Sequence, residues 1–220
     1  MRLLRGIAGK EADMERETLA LYAITDSRLA TKQSFFVQIE EALKGGVTLL
    51  QLREKDRPKS EIFQEALEVK KICEKYNVPL IINDDVELAK SIDADGVHVG
   101  QSDTEAGEAR RILGPDKIVG VTAKTVEQAK AAQAAGADYL GSGAVFGTVT
   151  KADAKPMSME LLRAIVASVD IPVVAIGGID ETNIKMLAGT GIAGVAVVSG
   201  IFGKDDCRKA AEGLKKVSLD

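Results

Sequence analysis

Short apolar, β-branched runs alternate with segments of helical periodicity from residue 19 to the end of the chain. The runs lie at 19–25, 48–52, 79–82, 96–99, 117–121, 139–145, 171–176 and 194–198. The helical segments lie at 35–43, 60–76, 86–91, 104–113, 126–135, 158–168, 182–188 and 206–217. The clearest unit is PLIINDDVELAKSIDADGVHVGQSD, residues 79–103, in which two apolar runs flank a short helical segment. That is a βαβ pattern, whose parallel strands need a crossover. Several predicted helices end at glycine, as at Lys44-Gly45-Gly46, Ala135-Gly136 and Thr190-Gly191, where a left-handed cap is needed. Alternation sustained over this length predicts an α/β fold, a single (β/α)₈ TIM barrel over residues 19–220. Residues 1–18 are mostly polar and charged and read as a short N-terminal extension or a short helix outside the core. The alternative, an open doubly wound sheet, calls for a glycine-rich turn after its first strand. Here that strand is followed by Thr25-Asp26-Ser27-Arg28.

Composition narrows the function classes. A hydrophobic fraction of 45% over 220 residues supports a sizeable core and argues against disorder. The net charge is −4, aromatics are 4% and Trp is absent, which leaves little for a nucleic-acid stacking platform. Cys73 and Cys207 match no metal or redox spacing and read as ordinary reduced thiols. No apolar run is long enough for a signal peptide or a bilayer span, so a cytoplasmic protein is expected.

In such a barrel the active site lies where the strands end. The second strand ends Leu50-Gln51-Leu52-Arg53-Glu54-Lys55, and alternation sends Gln51, Arg53 and Lys55 to one face and the leucines to the other. With the leucines toward the helices, the polar trio faces the barrel mouth, where two cations call for an anion. Strand three ends Asn83-Asp84-Asp85, and strand four leads to Gln101-Ser102-Asp103. Any one of these acids could cap the following helix. Asp84 and Asp103, at matching places on consecutive strands beside cations, instead suit Mg²⁺ held by carboxylates and substrate phosphates. Asp85 lies closer to the helix start. His98, the only histidine, reads as a satisfied core residue. Thr122 ends strand five and brings a hydroxyl to the rim. The long connection after strand six carries Thr148, Thr150 and Lys151, which suit phosphate or diphosphate oxygens. Strands seven and eight end Ile176-Gly177-Gly178 and Val198-Ser199-Gly200, the recurrent phosphate position of this fold. Two anionic subsites on one rim follow, one for a diphosphate and one for a monophosphate. No Ser-His-Asp or Cys-His set is available, so the chemistry rests on stabilising a departing diphosphate.

These strand ends resemble the thiamine phosphate synthases. The resemblance is carried by LYAITD, QLREK, IINDD, GVHVGQSD, GADYLGSGAVFGTVTK, PVVAIGGI and GVAVVSGIF, and covers nearly the whole chain from Leu21. It implies a transferase of thiamine biosynthesis that condenses 4-amino-2-methyl-5-(diphosphooxymethyl)pyrimidine with 4-methyl-5-(2-phosphooxyethyl)thiazole. The products are thiamine phosphate and diphosphate. It further implies Mg²⁺ on Asp84 and Asp103. The pyrimidine diphosphate would lie on Gln51, Leu52, Arg53, Glu54, Lys55, Asn83, Thr122 and Lys151. The thiazole phosphate would lie on Thr148, Val149, Thr150, Gly178, Val198 and Ser199. Arg53, Lys55, Thr122 and Lys151 are the catalytic candidates in a dissociative substitution, in which diphosphate leaves before the thiazole nitrogen attacks. Thr122 stands where many members have Ser, and residues 1–18 have no counterpart in the motifs. The implied partners are small phosphorylated substrates, neither nucleic acid nor membrane, with homo-oligomerisation open.

Rival readings are a thiazole tautomerase, which resembles this family but has a His at the Thr122 position, and a non-catalytic ligand-binding barrel. A metal-dependent sugar-phosphate epimerase needs several His ligands, and the chain has one.

Overall fold

The computed structural model describes residues 15–30, 33–54, 57–101, 103–147, 156–217 and 219. Its strands are β1 (Leu21–Ile24), β2 (Leu49–Leu52), β3 (Leu80–Asn83), β4 (Gly96–Val99), β5 (Ile118–Thr122), β6 (Tyr139–Gly143), β7 (Val173–Ile176) and β8 (Gly194–Val197). They pair in chain order, all parallel, and β8 closes on β1 through Tyr22 opposite Ala196. Closure leaves no sheet edge, so the doubly wound alternative is excluded.

Around the barrel run α1 (Arg16–Leu19), α2 (Phe35–Lys44), α3 (Lys59–Tyr76), α4 (Val86–Ser91), α5 (Ala106–Leu113), α6 (Val126–Ala134), α7 (Met159–Val166), α8 (Ser199–Phe202) and α9 (Cys207–Lys215). Side-chain caps fix several starts: Asp85 accepts from the Leu88 amide at 2.9 Å, Ser158 from Leu161 at 3.2 Å, and Asp206 from Lys209 at 2.9 Å. Residues 1–14 lie outside the described residues. The helix that follows seats Leu19 in the core, and Arg16 donates to the carbonyl of Ile192 at 2.7 Å.

Two elements differ from the periodicity. The segment expected as a helix over 182–188 is a 3₁₀ turn, Ile184–Leu187. Asp180 accepts from the Thr182 amide at 2.9 Å, and Asn183 accepts from the Asp180 amide at 3.0 Å while donating to the Gly178 carbonyl at 2.8 Å. These side-chain bonds hold the backbone in turns that compete with a helix. Conversely, α8 follows β8 directly, over four residues too short and too apolar to show a helical period.

Alternation along each strand divides the core. Leu21, Leu50, Leu52, Leu80, Ile82, Val97 and Val99 point outward and pack beneath the helices. Tyr22, Ile24, Leu49, Ile81, Tyr139, Val174 and Ala196 point inward and fill the barrel. Full burial of each Leu or Ile contributes roughly 1.5–3 kcal/mol. The outward leucines of β2 therefore hold Gln51 and Arg53 toward the interior.

Candidate active site at the barrel mouth

Gln51 and Arg53 from β2, Asn83 at the end of β3, and Thr122 at the end of β5 line one cavity at the carboxyl ends of the strands. Gly178, Val198 and Ser199, from the loops after β7 and β8, line it from the other side. Arg53 donates its backbone N–H to Thr25 Oγ1 at 2.9 Å, which ties the end of β2 to β1. The hydrogen bonds and charge of Arg28 hold the Asp26 carboxyl below its usual range against its burial, and the Arg53 charge adds a smaller share.

Gly178 sits at φ +67°, and a Cβ there would lie 2.5 Å from the Gly147 carbonyl oxygen. Only glycine lets the chain turn this tightly over the start of the long β6 connection. Ser199 opens α8, where a first helical turn leaves amide N–H groups without intrahelical partners.

The two acids expected to hold a metal are not helix caps. Asp85 caps α4, while Asp84 lies one residue earlier in the left-handed region at φ +61°. Its amide donates to the His98 carbonyl at 2.8 Å, and its Oδ2 accepts from Asn83 Nδ2 at 2.6 Å. A non-glycine residue held there stores strain that such sites carry when the side chain must point in one direction. Asp103 Oδ2 accepts from the Gly100 amide at 2.9 Å, whereas Glu105 precedes α5 without a side-chain cap. No cluster of three or more His, Cys, Asp or Glu occurs among the described residues. Neither acid lines the cavity itself; as donors, two carboxylates are the ligand type a hard divalent cation takes.

Other expected site residues fall elsewhere. Leu52 packs under the helices and lines an outer groove between α3 and α4. The Glu54 carboxylate turns away from the cavity and accepts from the Ser27 hydroxyl, from the Ser27 amide at 3.3 Å and from Thr25 Oγ1 at 3.2 Å. Alternation explains both, since they have the parity of the outward leucines. Lys55, Thr148, Val149, Thr150 and Lys151 lie outside the described residues.

Three cavity residues with hydrogen-bonding or ionisable side chains are not assigned to the site from sequence: Tyr22, His98 and Lys124. For Tyr22 and His98 the signal was the same inward parity that located Gln51. Lys124 follows the rim residue Thr122 by two. The His98 ring has both nitrogens engaged, the satisfied state the sequence predicts, but it also faces the cavity. Nδ1 lies 3.0 Å from the Tyr139 hydroxyl and Nε2 3.0 Å from Thr122 Oγ1. Tyr139 in turn lies 2.8 Å from the Tyr22 hydroxyl, and Gln51 Nε2 donates to Tyr22. Burial pushes both phenols well above their ordinary pKa, so they stay neutral.

Fold and site together define a (β/α)₈ barrel with a largely apolar cavity carrying a few polar side chains at the strand ends, where enzymes of this architecture carry their chemistry. Comparison with known proteins places the chain more closely. The family model "Thiamine monophosphate synthase" matches residues 21–201, and the chain belongs to that family. A thiamine-phosphate synthase of Alkaliphilus oremlandii is 51% identical over 195 residues, 89% of this chain and 93% of that protein. The thiamine-phosphate synthase of Ruminiclostridium cellulolyticum is 51% identical over 200 residues, covering 91% and 95% of the two chains. The solved thiamine phosphate pyrophosphorylase of Pyrococcus furiosus superposes with a TM-score of 0.84 at 41% identity, covering 91% of this chain and 96% of its own.

Proposed function

We propose that this protein joins a hydroxymethylpyrimidine diphosphate to a thiazole phosphate, releasing diphosphate and forming thiamine phosphate. The observation that carries the reading is the single cavity in which Gln51, Arg53, Asn83 and Thr122 face Gly178, Val198 and Ser199. Two phosphorylated substrates must meet in one place, and this cavity holds residues expected for each of the two anionic subsites.

In the proposed reaction the bond between the pyrimidine methylene and the diphosphate oxygen breaks first. The electron pair leaves with diphosphate, and the pyrimidine-methyl cation is captured by the thiazole nitrogen. Arg53, with Lys55 and Lys151, stabilises the negative charge that develops on the leaving group. Gln51, Asn83 and Thr122 orient the pyrimidine so that its methylene faces the thiazole. The turn at Gly177-Gly178 and the start of α8 receive the thiazole phosphate through backbone amides, with Ser199 adding a hydroxyl. Mg²⁺ on Asp84 and Asp103, when bound, supplies further neutralisation of the diphosphate. Apart from that ion the reading needs only small phosphorylated substrates, and it suits a cytoplasmic enzyme. No helix among the described residues is long and apolar enough to cross a membrane.

The test is product formation by purified protein supplied with both substrates, with Mg²⁺ and with chelator. Mg²⁺-dependent thiamine phosphate supports the reading. No product, with the thiazole phosphate still bound, would shift it to a tautomerase or a sensing barrel.

A further inference from the structure

We propose that Tyr139, which does not line the cavity, is a positioning residue that sets the hydrogen-bonding character of both cavity walls through one chain across the barrel. The chain runs Gln51, Tyr22, Tyr139, His98, Thr122, with links of 2.8 Å between the phenols and 3.0 Å at each His98 nitrogen. Its ends and two of its inner members line the cavity, and Tyr139 is the link between them.

The packing is built for this contact. His98, Gly120 and Tyr139 sit side by side in register on β4, β5 and β6. A Cβ at Gly120 would lie 2.2 Å from the Tyr139 ring, so the missing side chain is what lets Tyr139 reach across β5 to His98. A Cβ at Gly141 would lie 3.1 Å from the His98 ring, which closes the other side.

Donor and acceptor counting then couples the ends. Each phenol has one proton, and a neutral imidazole has one N–H. If Gln51 donates to Tyr22, then Tyr22 donates to Tyr139 and Tyr139 to His98 Nδ1. His98 carries its proton on Nε2 and donates to Thr122, whose own hydroxyl proton is left for the cavity. The Gln51 amide then keeps its carbonyl for the cavity. If the Gln51 amide is reversed, every bond reverses: Thr122 donates its hydroxyl proton to His98 Nε2 and offers the cavity only an acceptor. An acceptor on one wall therefore always goes with a donor on the other. A flat heterocycle bearing both a ring nitrogen and an amino group matches that coupled pair. Naming the pyrimidine as this ligand rests on the proposed function; the coupling itself does not.

The chain has a single histidine, so ¹⁵N-histidine labelling reports His98 alone. At about pH 8, above the ordinary imidazole range, the wild-type ring should show one tautomer, with two well-separated nitrogen signals. Tyr139→Phe keeps the ring and removes the link, and the two signals should move toward each other as the tautomers mix. In the same variant KM for the pyrimidine diphosphate should rise about three- to tenfold, the equivalent of one hydrogen bond, with kcat little changed. Tyr22→Phe breaks the neighbouring link and should mix the tautomers too, which keeps the test open if Tyr139→Phe does not fold. An unchanged His98 tautomer in either folded variant overturns the proposal. Loss of turnover in the wild type would defeat the synthase reading alone, because the nitrogen spectrum is read without substrate.

Discussion

Gly120 and Tyr139 face each other across β5 and β6, and the space of the absent side chain is occupied by the tyrosine ring. Gly120→Ala would place a methyl group 2.4 Å or less from the ring and hydroxyl of a fully buried residue. Overpacking of this kind costs about 1–3 kcal/mol. The expected outcome is a lowered midpoint in denaturant unfolding, with Tyr139 displaced from His98. An unchanged midpoint would show that the ring moves freely, against the packing described.

Asp84 and Asp103 are best tested by asparagine. At Asp84 the backbone is left-handed, where Asn is tolerated and Ala is strained, so Asp84→Asn removes charge without rebuilding the turn. Both Asp84→Asn and Asp103→Asn should fold normally and lose at least about tenfold in turnover at limiting Mg²⁺, consistent with losing a metal ligand. Titrating Mg²⁺ at fixed substrate checks this, and wild-type Mg²⁺ dependence in both would remove the metal assignment.

Glu54 gives a pH signature. Burial, more than any other cause, raises its pKa above the ordinary 4.5, with the Glu65 charge adding and the Ser27 and Thr25 bonds opposing. A carboxyl that prefers its proton in the folded state contributes most stability below about pH 4.5 and loses that contribution as pH rises through its folded value. Glu54→Gln should therefore be relatively more stable at neutral pH than at pH 4, read as melting temperatures across that window. A gap that shrinks with rising pH would contradict the burial argument.

Both thiols are buried. Burial lifts Cys73 to about 12 and Cys207 to about 11, so neither is a thiolate at neutral pH. A thiol reagent should label the native protein slowly and both cysteines at once in denaturant. Rapid labelling of one thiol in the native protein would expose a local opening around α3 or α9.

Much of this architecture is legible in one dimension. Strand count, strand order and the inward parity of Gln51 and Arg53 follow from a two-residue period and from helices long enough to cross between parallel strands. The helices of residues 86–91 and 126–134 begin where periodicity places them. The 3₁₀ turn at Ile184–Leu187 was not legible, because competing bonds from Asp180 and Asn183 outweigh a weak local period. Asp85, closer to the helix start in the sequence, is the cap of α4, and Asp84 is not.

What the sequence by itself determined is which side of each strand a residue takes and which loop carries it. What only the tertiary structure decided is who meets whom inside the barrel. Tyr22 and Tyr139 are 117 residues apart and on strands that are not neighbours, yet their hydroxyls touch. Local periodicity records direction along one strand, whereas contact across a closed barrel depends on strand register, on the tilt that closure imposes, and on a glycine, Gly120, that leaves room for the Tyr139 ring.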